Sequence, residues 1–374
     1  MALKLDTTSM PSLPFLKPKD SFAVDIGASS VKIAYLRPAG NRFTLVKYGV
    51  LPIAENSADL APSDRRSIST TRLGEFLARE KILTKNVVSS VSGNQVIVRY
   101  VRFPKLGREE LLKTIQFEAE PYIPFDIRDV FLGFHVIGDV VEEGQKKMET
   151  ILVASKKEVV QAKLDILNDL NLRPIIIDLD AFAIKNAYEL SIDPTIPETV
   201  MIINIGASTT NICIVENNVP RVVRDIFIAG NAYSKAIQRA VGCDYKTAEE
   251  LKARYSILVT SEEKERTLAE NHKEALQLSN AVTPVTKDLL GEIQRSLDFY
   301  ISQNTERSVN RVLLCGGGAM LKGLDQYLHT ELRIPVEIFN PAAKLVGGEL
   351  VPDNVACQLA TAIGLAARRE NDAK

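Results

Sequence analysis

Apolar and polar positions alternate in short runs near the start of this chain, then give way to longer helical periods. Ala23-Val24-Asp25-Ile26 leads into the turn Gly27-Ala28-Ser29-Ser30, and Val31-Lys32-Ile33-Ala34-Tyr35-Leu36 leads out of it. That pattern predicts strand, tight turn, strand. Phe43 to Val50 reads as a third strand, polar Glu55 to Ser69 as a loop, and Thr71 to Glu80 as a short helix with Leu73, Phe76 and Leu77 on one face. A strand at Asn86 to Val91 follows. Gln95 to Phe103 alternates as a strand until Pro104, and Arg108 to Glu120 reads as a helix with Leu111, Leu112, Ile115 and Ala119 inward, stopped by Pro121. Strands at Val130 to Ile137 and Glu149 to Ser155 flank a polar hairpin at Glu142 to Lys147. A helix at Lys157 to Leu170 and a strand at Pro174 to Asp178 precede a helix that Asp180 is expected to cap.

About 180 residues after the first hairpin the chain repeats it. Met201-Ile202-Ile203-Asn204-Ile205-Gly206-Ala207-Ser208-Thr209-Thr210-Asn211-Ile212 aligns with the first copy without a gap, identical at Ile26/Ile205, Gly27/Gly206, Ala28/Ala207, Ser29/Ser208 and Ile33/Ile212. So wide a repeat implies two related domains. A helix opening at Ile228-Ala229-Gly230-Asn231 follows, then a polar helical stretch from Lys246 to Ser279. Thr283-Pro284 is expected to cap a longer helix with the stripe Val285, Leu289, Ile293, Leu297 and Ile301. A strand at Arg311 to Cys315 runs into Gly316-Gly317-Gly318-Ala319 and a helix at Met320 to Thr330. The last predicted helix, Asp353 to Arg369, is rich in small residues.

The hairpin turns carry candidate chemistry. Gly27 tolerates positive φ, which lets backbone N–H groups converge on an anion. Ser29 and Ser30 add hydroxyls, Lys32 adds a positive charge, and Asp25 can hold a hydrated divalent cation. Two such turns facing each other would clamp one triphosphate. The triple-glycine turn fits close approach of a flat nucleobase, but it is not a dinucleotide fingerprint, because Leu321 stands where the third glycine belongs.

Bulk properties narrow the classes. With 374 residues, 45% apolar and 25% charged, the chain suits more than one ordinary globular domain. A net charge of −1 and the lack of a basic run argue against nucleic acid as a partner. Cys213, Cys243, Cys315 and Cys357 form no metal or redox pair and read as buried reduced thiols, and His135, His272 and His329 are too scattered for a metal site. The sequence has no run of apolar residues long enough for a membrane span and no leader-like N-terminus. Residues 1–19, with three prolines, read as an arm in which Leu13, Phe15 and Leu16 form a docking motif or pack on the domain edge.

Hairpin, insert, repeated hairpin and strand–Gly-Gly-Gly–helix resembles the actin-like ATPase superfamily. Within it, Arg102-Phe103-Pro104, Phe117-Glu118-Ala119, Tyr122-Ile123-Pro124-Phe125, Val153-Ala154-Ser155-Lys156-Lys157, Asp178-Leu179-Asp180-Ala181-Phe182-Ala183 and Asn186-Ala187-Tyr188 resemble the type IV pilus assembly PilM family. The resemblance implies an α/β, two-domain actin-like (ribonuclease H-like) fold with an inserted α+β module. The first domain would comprise residues 20–92, 174–198 and the C-terminal helix 353–370, the module 93–173, and the second domain 199–352.

It also implies ATP and Mg²⁺ as ligands. Asp25, Gly27, Ser29, Ser30 and Lys32 match the first phosphate motif, with Asp25 reaching magnesium through water. Asn204, Gly206, Ser208, Thr209 and Thr210 match the second. Gly230 is a further nucleotide-binding position, Glu249, Lys252, Gly316, Gly317, Gly318 and Ala319 fall on the adenosine side, and Asp180 falls where hydrolysing members orient water. Asn204 departs from the aspartate usual there, and a neutral amide neither binds hydrated Mg²⁺ as strongly nor takes a proton from water. Nucleotide binding with weak or no hydrolysis is therefore expected.

The implied partner is the cytoplasmic N-terminal segment of PilN, docked near Phe103, Pro104, Tyr122, Pro124 and Phe125. Links to PilO and PilP would be indirect, and the pilus motor ATPases and platform protein would lie beyond them. The implied location is the cytoplasmic face of the inner membrane. The alternatives are an FtsA-like division tether, for which the alanine-rich C-terminus supplies no amphipathic membrane helix, and a sugar- or acetate-kinase-like phosphotransferase.

Overall fold

The structure, a computed structural model, describes residues 20–53, 60–193, 195–304 and 306–369. The N-terminal arm and its Leu13, Phe15 and Leu16 lie outside the described residues. The first sheet is built from β1 (Phe22–Ile26), β2 (Ser30–Ala39), β3 (Arg42–Pro52), β4 (Asn86–Val91) and, much later in the chain, β8 (Arg173–Leu179). Its order is β3-β2-β1-β4-β8, with β1–β2 and β2–β3 antiparallel and β1–β4 and β4–β8 parallel. Every residue of β1 is buried, because helices cover both faces of the sheet. Phe22, Val24 and Ile26 pack with Leu73 and Phe76 of α1 (Pro62–Arg79), while Ala23 faces the centre of the molecule.

Helix α1 begins well before the expected Thr71, inside the stretch read as a loop. Pro62 occupies its first turn, where the missing N–H has no partner to lose, so the polar residues 62–69 belong to the helix.

The inserted segment forms a separate antiparallel sheet, β5-β7-β6, from β5 (Val96–Pro104), β6 (Val130–Glu142) and β7 (Gln145–Lys156). Helix α2 (Arg108–Ala119) covers one face, burying Leu111, Ile115 and Ala119 against Val101, Phe103 and Leu152. Leu112, expected inward, is 55% exposed, so the buried stripe of α2 is narrower than its periodicity suggests. The opposite face of the sheet, Ile151 and Val153, packs with Ile177, Leu179 and Phe182 of the first half. Helix α3 (Lys157–Asp169), which follows β7, packs on α1 and β8 and buries Ile166 and Leu167 in the core of the first sheet. The insert is also braced on the second half. Tyr100 Oη donates to the Pro220 carbonyl at 2.8 Å, and Arg221 pairs with Glu149 at 3.1 Å.

After α4 (Asp180–Glu189), the second sheet repeats the plan of the first. Strands β9 (Thr199–Ile205), β10 (Thr210–Glu216), β11 (Val219–Ile226), β12 (Arg311–Cys315) and β13 (Val336–Ile338) lie in the order β11-β10-β9-β12-β13. Helices α5 (Gly230–Val241), α6 (Tyr245–Arg254), α7 (Ser261–Ala269), α8 (Lys273–Ser302) and α9 (Leu324–Leu332) complete this half. Pro284 does not cap α8 but lies inside its 30 residues. A mid-helix proline costs roughly 3 kcal/mol. Burial of Leu278, Val282, Leu289 and Ile293 exceeds that at about 1.5–3 kcal/mol per side chain. The triple glycine enters a 3₁₀ turn, Gly317–Met320, and α9 starts only at Leu324. The C-terminal helix is likewise broken, into α10 (Asp353–Ala356), a 3₁₀ turn (Cys357–Leu359) and α11 (Ala360–Ala366). Among the described residues, no helix is long and apolar enough to cross a membrane.

Helices α4 and α11 pack together at the centre of the molecule, in the largest apolar cluster, which joins the two halves. A Cβ on Gly364 of α11 would stand 1.7 Å from the Ala183 carbonyl oxygen, so the two backbones touch there. Behind them Arg368 pairs with buried Asp178 at 3.2 Å. Gly364→Ala is expected to destabilise the protein by about 1–3 kcal/mol or more through overpacking. Gly291→Ala in α8, where a Cβ meets nothing within 4 Å, should stabilise it by roughly 0.5–1 kcal/mol. Urea denaturation midpoints for the two variants should therefore move in opposite directions.

Candidate functional site

Both hairpin turns close in the same way. Gly27 N–H donates to the Ser30 carbonyl and Gly206 N–H to the Thr209 carbonyl, each at 3.0 Å. Neither glycine uses positive φ, contrary to the expectation for Gly27. Glycine is needed there for closeness: a Cβ would lie 3.0 Å from the Ser30 oxygen in one turn and 2.8 Å from the Thr209 oxygen in the other. The turns face one cleft of about 710 Å³, lined by Asp25, Gly27, Ser29, Lys32, Asn204, Gly206, Ser208, Thr209 and Asp180 among the expected residues.

The same two cross-strand positions carry different chemistry in the two copies. In the first, Asp25 lies opposite Lys32 and pairs with it at 3.1 Å. In the second, Asn204 lies opposite Asn211, and its Nδ2 donates to Asn211 Oδ1 at 2.9 Å. Asn211 Nδ2 donates onward to Asp225 Oδ1 at 2.7 Å, and the backbone N–H of Gly93, at the root of the insert, donates to Asp225 Oδ2 at 2.6 Å. The charged pair is thus answered by a neutral amide pair tied to the insert. Burial holds Asp225 above the ordinary carboxylate range, against the Asn211 and Gly93 bonds.

Asp180 begins α4, but its carboxylate does not cap the helix. Ser90 Oγ donates to its Oδ1 at 2.5 Å and Ser92 Oγ to its Oδ2 at 2.6 Å. Burial raises its pKa, and the charge of Asp25 adds to that, against the two serine bonds and Lys163. Lys163 lines the same cleft from α3 and donates to the Ile26 carbonyl. Burial lowers its pKa, opposed by the charges of Asp180 and Asp25.

Sequence reasoning missed Lys163, Arg65, Ser92 and Asn211, all of which line the cleft. Arg65 donates to the Ala28 carbonyl from the first turns of α1, where the polar sequence predicts a loop. The position of Asn211, matching Lys32 in the repeat, was the available signal for that residue.

Other expected residues stand apart from the cleft walls. Ser30 is buried, and buried Thr210 donates to the Ile228 carbonyl at 2.7 Å. Gly230 packs against the second turn, its N–H donating to the Gly206 carbonyl at 3.0 Å. Glu249 and Lys252 pair with each other at 2.5 Å, and Lys252 also donates to Ser234 Oγ at 2.8 Å. Gly316, at φ +85, sits where a Cβ would lie 2.4 Å from the Ile205 carbonyl oxygen, and a Cβ on Gly318 would lie 2.4 Å from the Ile205 side chain. These two glycines therefore seat the turn beneath the second hairpin, with Gly317 and Ala319 alongside in the same 3₁₀ turn. On the insert, Phe103 is 2% exposed and belongs to the core, which removes it from any groove wall. It supports Tyr122 edge-on at 6.3 Å, while Tyr122 and Pro124 are exposed and Phe125 is half-buried. Pro104, the last residue of β5, is also exposed.

A family model described as type IV pilus assembly protein PilM matches residues 23–370. The chain belongs to the PilM family. It is similar to the solved PilM–PilN type IV pilus biogenesis complex, with 26% identity, a TM-score of 0.77, and coverage of 94% of this chain and 98% of that one. MreB5 of Spiroplasma citri bound to ADP matches at 15% identity and a TM-score of 0.51, over 92% of this chain and 94% of that one, a likeness of fold. The cell shape-determining protein Mbl of Bacillus subtilis is 26% identical over 158 residues, 37% of this chain, and the match spans about half, 47%, of that relative's length. The actin-like architecture expected of a PilM-family chain is borne out.

A carboxylic acid whose pKa is higher in the fold than in the unfolded chain favours folding while protonated, and that favour is lost as pH rises through the folded value. Asp180→Asn should therefore melt at a higher temperature than the wild type at neutral pH. The advantage should shrink as pH falls toward the ordinary carboxylate value of 3.8, which a pH series of thermal melts would check.

Proposed function

We propose that this chain is a nucleotide-binding scaffold of the type IV pilus machine. It docks the cytoplasmic N-terminal segment of a PilN-like protein on the inserted module and holds ATP in the cleft between the two glycine turns. The observation that carries this reading is the whole-chain likeness to a PilM–PilN complex, which extends over 94% of the residues and so includes the insert. Partner binding is assigned to Pro104, Tyr122, Pro124 and Phe125, joined by Phe117 of α2, which is 78% exposed. Through that partner the scaffold would sit at the cytoplasmic face of the inner membrane. It would connect to PilO and PilP indirectly and to the motor ATPases and platform protein beyond them.

Two backbone turns with Lys32 and Lys163 beside them suit a polyphosphate. The donor set also fits Mg²⁺ brought in with that polyphosphate. Mg²⁺ is bound by one or two carboxylates together with phosphate oxygens and waters, and Asp25 faces the cleft. Among the described residues no group of three or more His, Cys, Asp and Glu could hold a metal by itself, so a resident ion is not part of the reading. Bound magnesium would neutralise phosphate charge. The protein's own groups do the rest: Lys32 and the turn N–H groups orient the phosphates, and neutral Asn204 accepts no proton. Weak or absent hydrolysis makes the nucleotide chiefly a conformational ligand, stabilising whichever arrangement of the halves binds it better.

Two measurements test this. Removing a charge-assisted contact costs about 1.5–3 kcal/mol, so Lys32→Met should weaken ATP binding by about 10–100-fold in calorimetry, and it should also lower the melting temperature because it leaves buried Asp25 without its partner. A peptide of the PilN N-terminal segment should bind the wild-type protein, and Tyr122→Ala with Phe125→Ala should cost that binding about 1–2 kcal/mol or more while the fold persists. Absence of peptide binding with ATP, with ADP and without nucleotide would overturn the scaffold reading.

A further inference from the structure

Asp180 is engaged in a way that the scaffold reading leaves unexplained. Both oxygens of this carboxylate already accept serine hydroxyls, from Ser90 at 2.5 Å and Ser92 at 2.6 Å. The two serines differ in access. Ser90 lies within β4, 3% exposed, and does not line the cleft. Ser92 lies just beyond the end of β4, is half-buried, and lines the cleft together with the two glycine turns, Lys32 and Lys163. An alcohol hydrogen-bonded to a carboxylate, within a cleft shaped for phosphates, has the parts of a phosphoryl acceptor and its general base.

We propose that Ser92 accepts the γ-phosphoryl group of the nucleoside triphosphate held in the cleft, with Asp180 as the base, so that the chain phosphorylates itself. The proposal rests on the nucleotide reading given above. In the step, the Ser92 hydroxyl proton passes to Asp180 Oδ2 as Ser92 Oγ forms a bond to the γ-phosphorus. The bond from that phosphorus to the oxygen bridging it to the β-phosphate breaks, and the electron pair leaves with the nucleoside diphosphate. Protonated Asp180 then returns its proton to solvent. Lys32 and Lys163 offset the charge on the transferring group.

Neutral Asn204 fits the same scheme. The second turn holds phosphate without presenting a carboxylate to activate water, and the hydroxyl held against the carboxylate of Asp180 belongs to the protein. The product would place a dianion beside Asp180. It would also stand one residue from Gly93, whose N–H tethers Asp225 at 2.6 Å, so it would load the root of the inserted module with like charge.

The test uses the full chain incubated with Mg²⁺ and γ-labelled ATP, with intact mass, peptide mapping and binding of a fluorescent ATP analogue read in parallel. The expected result is one phosphoryl group per chain, mapped to Ser92, at a rate per chain that does not depend on protein concentration. Ser92→Ala should abolish the label while keeping analogue binding, and Asp180→Asn should slow labelling by about 10²–10⁴-fold. Ser92→Thr, which preserves the hydroxyl, should restore labelling at position 92, and Ser90→Ala should leave it in place. Analogue binding without label, or label on another residue, would overturn the proposal and leave Ser92 as a tether for Asp180. Failure of the analogue to bind would overturn the nucleotide reading and the phosphorylation together.

Discussion

The backbone contact between α4 and α11 is the constraint on which the rest of this structure depends. Gly364 allows the two helices to touch at Ala183, and no side chain fits between them. Helix α4 starts at Asp180 and α11 lies against β1 and β2, so this one contact sets where the carboxylate stands relative to the first glycine turn. Interiors packed to crystal-like density have little room to adjust, and a shift of a few tenths of an ångström at Gly364 would be felt at the cleft. The stripe of small residues in the last helix has this positional role.

Around that centre the molecule is a duplicated plan with an electrostatic difference between the copies. The sheets share strand order and the turns share their closing hydrogen bond. Yet the first copy holds Asp25 and Lys32 where the second holds Asn204 and Asn211. Geometry is kept while charge is confined to one side. A polyphosphate between the turns would meet a cation from one domain and uncharged dipoles from the other. The amide pair connects through Asp225 to Gly93, so the second turn also reaches the insert.

Much of this was legible in the sequence, for identifiable reasons. The hairpins, β4 and β12 are legible because short runs rich in branched residues that lead into a glycine turn specify buried strands. The repeat located both turns and hence most of the cleft. What failed was local chemistry overridden by packing. Residues 62–69 are polar because α1 exposes much of its first half to solvent, so they lacked the apolar period of a helix. Pro284 resembles a helix start in sequence and is carried through α8 by buried neighbours. Phe103 resembles a surface anchor beside proline and lies in the core of the insert. Lys163 and Ser92 could not be found from periodicity, since each reaches the cleft from an element distant in the chain.

The order in which the chain is made gives the covering of the first sheet another meaning. Strands β1 and β2 are among the earliest described residues, and the helix that seals their central face, α11, is among the last. Until Ala360–Ala366 leave the ribosome, the face carrying Ala23, Ala34, Leu36 and Val88 has no permanent cover. Long-range closure of this kind slows folding and leaves apolar surface exposed meanwhile. A chain lacking Ala360–Ala366 would keep this apolar face uncovered, and their loss would weigh on solubility far more than their number suggests.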